Sequence, residues 1–203
     1  MRFSSSNGDQ NDSTATSLIV RVRSADPDAW EKLTRLYGPV VYGWARQAGL
    51  QPYDASDVMQ NVFQAVTQHI VRFRKDLRTD SFRGWLWTIT RNKILDHFRG
   101  LKPMAKPIGG SDAYQQLQQL AERPPSRESP SGSIELSGLR RRALKLVQGS
   151  FENRTWRAFW RTAVEGDSPA DVAADLEIST WAVYKARSRV LQRLREEFQG
   201  LID

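Results

Sequence analysis

The 203-residue chain contains no cysteine and only two histidines. The lack of cysteine excludes disulfide bonds, thiolate metal sites and cysteine nucleophiles, and it fits the reducing cytosol. Neither His69 nor His97 has an acidic or histidine partner at the i+4 spacing of helical metal ligands, so both are predicted to be structural. The sequence also lacks a glycine-rich phosphate loop and a nucleophile elbow. It therefore predicts no metal, no cofactor and no enzyme activity.

Long apolar runs are also missing. No stretch of about 18 apolar residues occurs, so no membrane-spanning helix is expected. The N-terminus is polar and has no apolar segment of the kind found in signal peptides. These features predict a cytoplasmic protein without membrane insertion.

Strand patterns are absent as well, because no alternating Val, Ile or Thr run lies between turn residues. Apolar residues instead recur at helical spacing, which predicts an all-α protein. Five of the nine prolines fall between residues 103 and 130 and indicate a flexible linker, in which only 113–121 could form a short helix. We expect two small helical domains, with a disordered tail over 1–17, a first domain over 18–100, a linker over 101–133 and a second domain over 134–203.

Several residues predict where helices begin and end. Asp26 before Pro27 marks one start, and Gly49 marks the end of that helix. Gly38-Pro39 predicts a kink there, or a division into two short helices. Asp54 is predicted to cap a helix over 54–73, and further helices are expected over 81–99, 134–148, 152–165, 168–176 and 180–198. The expected buried stripe of helix 54–73 consists of Val58, Val62, Val66, His69, Ile70 and Phe73.

The C-terminal segment has the pattern of a helix-turn-helix. Ser168 and Pro169 open a short helix, a tight turn follows at 177–179, and Ser179 caps a long basic helix. The formal net charge of +7 favours a polyanionic partner such as nucleic acid. A plain helical hairpin with a solvated basic face has the same pattern, so both interpretations remain open here. The polar face of the last helix would contact duplex DNA through Thr180, Trp181, Tyr184, Lys185, Ser188, Arg189 and Gln192.

Two helices of the first domain have unusual polar faces. Helix 54–73 has no Asp, Glu, Lys or Arg between Asp57 and Arg72, and a face of amides suggests a protein interface. The segment 81–99 interleaves aromatic and basic residues, a combination that suits single-stranded or melting DNA. An ordinary polar surface for the first helix, and a core position for Trp85 and Trp87 in the second, are the alternatives.

Three segments together resemble the extracytoplasmic-function sigma factors, subunits that direct RNA polymerase to promoters. These segments are DASDVMQNVF (54–63), SFRGWLWTITRNKILDHFR (81–99) and SPADVAADLEISTWAVYKARSRVLQRLREEF (168–198), in the order found in that family. The closing segment VYKARSRVLQRLREE is similar to the corresponding segment of planctomycete-type members of the family. Where many members read G-T-V-K-S-R, this chain has WAVYKA at 181–186, so promoter preference cannot be transferred.

The resemblance implies roles for residues of the first domain. Core RNA polymerase would be bound by Asp54, Asp57, Gln60, Asn61 and Phe63, and the amide face adds Gln64. The minus-ten element of promoter DNA would be bound by a specificity loop and the helix after it, with Arg74, Lys75, Arg78, Thr79, Trp85, Thr88, Arg91, Asn92 and Arg99.

The last helix would then lie at the minus-thirty-five element. Members of this group are often held inactive by an anti-sigma protein, which is a further expected partner. A helix-turn-helix regulator that never binds polymerase is the alternative function. The amide face and the aromatic, basic helix count against this alternative, because a plain repressor needs neither.

Overall fold

The computed structural model describes residues 17–73, 81–100, 126 and 129–202, and all its regular structure in these ranges is helical. This confirms the all-α prediction. The N-terminal half comprises α1 (Leu18–Arg23), α2 (Pro27–Gln47), α3 (Pro52–His69), a 3₁₀ turn (Ile70–Arg72) and α4 (Phe82–Gly100). The C-terminal half comprises α5 (Pro130–Gln148), α6 (Asn153–Trp160), a π-helical turn (Arg161–Glu165), α7 (Pro169–Asp175) and α8 (Thr180–Glu197). No helix in the described ranges is long and apolar enough to cross a bilayer.

The predicted caps at three helix starts are confirmed. The Asp26 carboxylate accepts hydrogen bonds from the main-chain N–H groups of Asp28 and Ala29, at 2.9 and 3.2 Å. The hydroxyls of Ser168 and Ser179 each accept a hydrogen bond from the main-chain N–H three residues later, at 3.1 Å. These bonds satisfy donors that have no partner within the helix and so fix where α2, α7 and α8 begin.

Four local predictions are wrong. The predicted division at Pro39 does not occur: α2 continues through the proline as one element, because the neighbouring Tyr37, Val40 and Val41 are buried and held by packing. Asp54 does not cap α3, which begins at Pro52 with Gln51 before it and leaves Asp54 in the first turn. His69 is predicted to lie in the buried stripe of α3, but it is exposed, because the α-helix changes there into the 3₁₀ turn. Helix α5 begins at Pro130, four residues before the predicted start, with Ser129 as its cap.

The core of the N-terminal half lies between α2, α3 and α4. Val58, Val62 and Val66 of α3 are buried on one side of that helix, as the spacing predicts. The rings of Trp44 on α2 and Trp87 on α4 meet edge to face with centroids 5.0 Å apart. This packing fixes α4 against α2 and leaves the opposite faces of α3 and α4 towards solvent.

The two halves are packed against each other. One hydrophobic cluster contains Leu36 and Trp44 from the N-terminal half together with Leu139 and Phe198 from the C-terminal half. The Nε of Arg142 on α5 donates to the main-chain carbonyl of Leu36 at 2.8 Å. This cluster therefore includes residues from both halves, from Leu18 of α1 to Leu201 after α8.

Candidate functional site

The amide face of α3, defined as Gln60, Asn61, Gln64 and Gln68, is exposed to solvent. These residues lie three or four positions apart, so their side chains share one side of the helix, opposite the buried valines. The face is exposed but carries no charged side chain, and charged residues are likewise depleted at the centres of protein interfaces.

The three other residues predicted to bind polymerase lie beside this face. Asp57 is partly exposed at the start of the amide face. The ring of Phe63 is half-buried and packs against the hydrophobic core. Asp54 is partly exposed, and its carboxylate oxygen lies 3.9 Å from Nε2 of His97 on α4. The structure therefore gathers these residues on and around one helix.

The outer face of α4 carries polar and basic residues at helical spacing. Thr88, Asn92 and Arg99 are exposed and Arg91 is partly exposed, so this part of the predicted DNA-binding set shares one surface. Arg99 lies in the last turn with its Nη1 3.3 Å from a carboxylate oxygen of Asp96. The remaining residues predicted for the minus-ten element, Arg74, Lys75, Arg78 and Thr79, lie outside the described residues.

The two tryptophans of α4, which the sequence left undecided, have different environments. Trp87 is 4% exposed and belongs to the core. Trp85 is half-buried, and its ring lies 5.0 Å from that of Phe73 and 5.5 Å from that of Phe82. Trp85 thus closes an aromatic cluster while keeping part of its ring towards solvent.

The helix-turn-helix has its own small core beneath α8. Val172 and Ala173 of α7 pack with Val183 and Ala186 of α8, and Ala158 of α6 completes the cluster. The end of α7 is stabilised by Arg154 of α6, whose Nε donates to the carbonyl of Leu176 at 2.8 Å. This packing turns the opposite side of α8 outwards.

All seven residues predicted to contact duplex DNA lie exposed on that outward side of α8. Trp181 is 67% and Tyr184 56% exposed, which is unusual for such large apolar side chains. The Nζ of Lys185 lies 4.7 Å from the ring centroid of Trp181, in cation–π contact. Gln192 donates to a carboxylate oxygen of Glu196 at 2.8 Å. The outward side of α8 thus combines basic, amide and aromatic groups on one helix.

Sequence reasoning missed two carboxylates that join the halves. Oε1 of Glu135 on α5 lies 2.5 Å from Nε of Arg83, and its Oε2 accepts from Nε1 of Trp44 at 2.8 Å. Glu197, the last residue of α8, is 2% exposed and lies 2.8 Å from Nζ of Lys32. The sequence carried one signal for Glu197, since a carboxylate at a helix C-terminus opposes the helix dipole and needs a compensating cation.

Comparison with known proteins identifies the N-terminal half. The sigma-70 region 2 family model matches residues 33–103, a range that runs from α2 through α4. The structure of CnrH in complex with the cytosolic domain of CnrY is similar, with 24% identity over 87% of this chain and 92% of that chain, and a TM-score of 0.35. The structure of the RsbN–BldN complex matches with 18% identity over 87% and 96% of the two chains, also at a TM-score of 0.35. No curated protein matches the sequence.

The match defines a helical transcription-initiation protein that contains a sigma-70 region 2 domain. The sigma-70 region 2 domain supports the function predicted from the sequence, a sigma factor that acts in transcription initiation. The alternative of a regulator that never binds polymerase is not favoured.

Proposed function

We propose that this chain is a sigma factor of the extracytoplasmic-function type, which binds core RNA polymerase and directs promoter-specific initiation through two DNA-contacting domains joined by the chain between Gly100 and Ser129. The observation that carries this proposal is the outward side of α8, where all seven residues predicted for DNA are exposed on a capped helix of a helix-turn-helix. A sigma factor with region 2 before a linker and such a motif after it has the minimal parts for reading two promoter elements. It works as a binding subunit, and the polymerase supplies the catalysis.

The amide face of α3 is the proposed docking surface for core polymerase. It is exposed and uncharged, and the carboxylate of Asp57 lies beside it. Burying amides in an interface costs less than burying charges, because each amide can donate and accept hydrogen bonds with a partner. Asp54 and Phe63 would contribute at its edges.

The outer face of α4 is the proposed contact for the minus-ten element. Arg91 and Arg99 are placed to hold phosphates, and Thr88 and Asn92 carry hydrogen-bonding groups between them. The accessible part of the Trp85 ring could stack on an unpaired base. In the proposed mechanism residues 74–80, which lie outside the described ranges, capture an extruded base, and this offsets the few kcal/mol that unstacking costs.

The minus-thirty-five element is assigned to α8, with the helix lying in the major groove. Lys185 and Arg189 would contact phosphates, while Ser188 and Gln192 can hydrogen-bond base edges. A second protein that blocks these surfaces is a proposed regulator, since both similar structures are protein complexes. The proposed location of the chain is the cytoplasm, where core polymerase is found.

A run-off assay tests the assignment. Purified chain is added to core polymerase with a library of genomic promoter fragments, and specific transcripts are expected only when both are present. Scrambling the minus-thirty-five or the minus-ten element of a selected promoter should each abolish the transcript. A chain that neither binds core polymerase nor yields a specific transcript would contradict the proposal, and DNA binding without core binding would favour a regulator.

A further inference from the structure

The N-terminal turn of α8 presents two large aromatic rings to solvent. Trp181 is the second residue of the helix and Tyr184 lies three positions later, so both rings project from the same side. Burying these rings at a partner's surface would remove a large apolar area from water, which is why exposed aromatic groups commonly mark binding sites. Residues at this end of a recognition helix contact base edges in the major groove.

The major groove of paired DNA offers few partners to an apolar ring. The bases are stacked, so a side chain in the groove meets only their edges, and the apolar group on those edges is the C5-methyl of thymine. Lys185 is held 4.7 Å from the centroid of the Trp181 ring. Its ammonium covers that part of the ring and remains available to a phosphate, so the Trp181 ring has a preferred side for contact with DNA.

We propose that Trp181, supported by Tyr184, reads thymine methyl groups in the upstream promoter element. This inference rests on the proposed function of α8 and adds the base chemistry that the helix selects. The expected consequence is an upstream element containing at least one thymine whose methyl group is required for full affinity.

Deoxyuridine, which lacks only this methyl group, tests the inference. Holoenzyme made with the full chain is bound to a selected promoter in which each upstream thymine is replaced in turn by deoxyuridine. At one or more positions the affinity should fall about fourfold, which is the loss expected when one buried methyl group is removed from the interface. The Trp181→Ala holoenzyme should bind both DNAs equally, whereas Gln199→Ala, an exposed change away from this face, should keep the fourfold difference.

Three results would overturn the inference. The wild-type holoenzyme could bind thymine and deoxyuridine promoters equally at every position, or Trp181→Ala could keep the fourfold difference. The third is a weaker affinity of Trp181→Ala for core polymerase, which would make the ring a protein contact. If scrambling the whole upstream element leaves wild-type binding unchanged, the proposed function of α8 itself fails, so the two failures are distinguishable.

A second inference comes from the contacts between the halves. Glu135 pairs with Arg83 at 2.5 Å, and the Arg83 guanidinium lies 5.7 Å from the ring centroid of Trp44, in cation–π contact. At the other end of the interface, Glu197 lies 2.8 Å from Lys32 and 3.8 Å from Arg21. Each carboxylate comes from the C-terminal half and each of these cations from the N-terminal half, while Glu197 also pairs with Arg193 of its own helix at 2.7 Å.

The closed arrangement is too small to touch two promoter elements. A compact chain of this length has a radius of gyration of about 17 Å and is therefore about 45 Å across. Elements centred about 25 base pairs apart lie about 85 Å from each other along the DNA. The chain between Gly100 and Ser129 can extend to at most about 100 Å, so the halves can reach both elements only after separating.

We infer that the ion pairs of Glu135 and Glu197 hold the two halves of the free protein in contact, in a closed arrangement. Buried ion pairs contribute little net stability, because separation returns both partners to water, and they therefore suit a contact that must open. Removing one partner has a larger effect, since the remaining charge stays partly buried in the closed form with less compensating charge around it.

Because the chain has no cysteine of its own, spin labels can be attached to two introduced cysteines. The distance between the labels is then measured by double electron–electron resonance. The labels are attached to the full chain at Gln47→Cys and Ala174→Cys, both exposed sites outside the proposed docking surface, one in each half. The free wild type should show one narrow, short distance, and adding core polymerase should replace it with a longer one. Glu135→Gln with Glu197→Gln should raise the ratio of long to short distances by about tenfold or more.

Matched variants separate opening from misfolding. Glu196→Gln, whose partner Gln192 is on the same helix, should leave the distances unchanged. Lys32→Met, at a partly exposed site, removes the shorter of the two contacts that Glu197 makes with the opposite half, and should shift the ratio in the same direction. The inference is overturned if the free wild type already shows the long distance, or if Lys32→Met and the double variant both match the wild type.

Discussion

The Nε of Arg154 on α6 lies 2.8 Å from the main-chain carbonyl oxygen of Leu176, and the same guanidinium donates to the carbonyl of Glu177 at 2.6 Å. These carbonyls stand at the end of α7, where helical partners are lacking, so Arg154 closes the turn of the helix-turn-helix. Arg154→Met should lower the free energy of unfolding by about 1 kcal/mol, measured by urea denaturation. Arg157→Met on the same helix is the control and should change it by less than about 0.5 kcal/mol. Equal changes in the free energy of unfolding for the two variants would mean that the Arg154 hydrogen bonds do not contribute to stability.

Among the described residues, Ala25 and Glu177 are the non-glycine residues in the left-handed conformation, with φ 59° and 51°, and each follows the end of a helix. A side chain costs about 1 to 2 kcal/mol in this region. Glycine removes that cost but loses about 0.5 to 1 kcal/mol of chain entropy on folding. Ala25→Gly and Glu177→Gly should therefore each raise the free energy of unfolding by about 0.5 kcal/mol, and Glu177→Ala should give no gain. A gain from alanine equal to that from glycine would point to the lost charge as the cause.

The two tryptophans of α4 should respond differently to truncation. Trp87→Ala removes a core ring and should cost about 3 to 5 kcal/mol of folding free energy. Trp85→Ala should cost less, because Trp85 is half-buried, and should slow promoter opening, as followed by 2-aminopurine fluorescence at the minus-ten element. If Trp85→Ala opens promoters at the wild-type rate, its ring is structural only.

Charge on the amide face should block docking. Gln60→Lys with Gln64→Lys would bury two unpaired ammonium groups in the proposed interface, and should weaken binding to core polymerase by about tenfold or more. Because both sites are exposed, the melting temperature should stay close to that of the wild type. Gln47→Lys at the end of α2 is the matched control. Unchanged core binding in the double variant would move the docking surface away from α3.

Asp26 should make stability depend on pH in acid. A hydrogen bond from Arg21 lowers the pKa of this carboxyl below 3.8, with further lowering by the N–H of Ala29. Because the folded-state pKa is depressed, the stabilisation is complete above the unfolded value and is lost as pH falls through the folded value. Asp26→Asn keeps a good helix cap but cannot ionise, so its stability should lack this acid-dependent part. Urea midpoints from about pH 6 down to about pH 2.5 compare the two; parallel curves would contradict the prediction.

Local signals in the sequence predicted most of the helices. The caps at Asp26, Ser168 and Ser179 act within a few residues of the chain, so their residue types are sufficient to locate a helix start. Gly49 likewise ends α2 at φ 90°, with Leu50 N–H bonded to Ala45 and Gly49 N–H to Arg46. The outward residues of α8 followed from spacing alone, because the opposite side of the helix is apolar.

Tertiary packing explains what the sequence did not show. Pro39 reads as a break, yet the burial of its neighbours keeps α2 continuous. The contacts of Glu135 and Glu197 join residues 52 and 165 positions apart, and no local pattern specifies such partners. The role of Trp87 depended in the same way on Trp44, which comes from another helix.

Helix α8 carries three separate sets of side chains. One set faces outwards from its first turns, a second packs on α7, and Glu197 at its last turn contacts the other half of the protein. Because these sets share no residue, a substitution that alters the DNA preferred by Trp181 or Tyr184 leaves the Glu197 contacts untouched. Promoter choice and the strength of domain closure can therefore drift independently during evolution, although both are encoded in the same eighteen-residue helix.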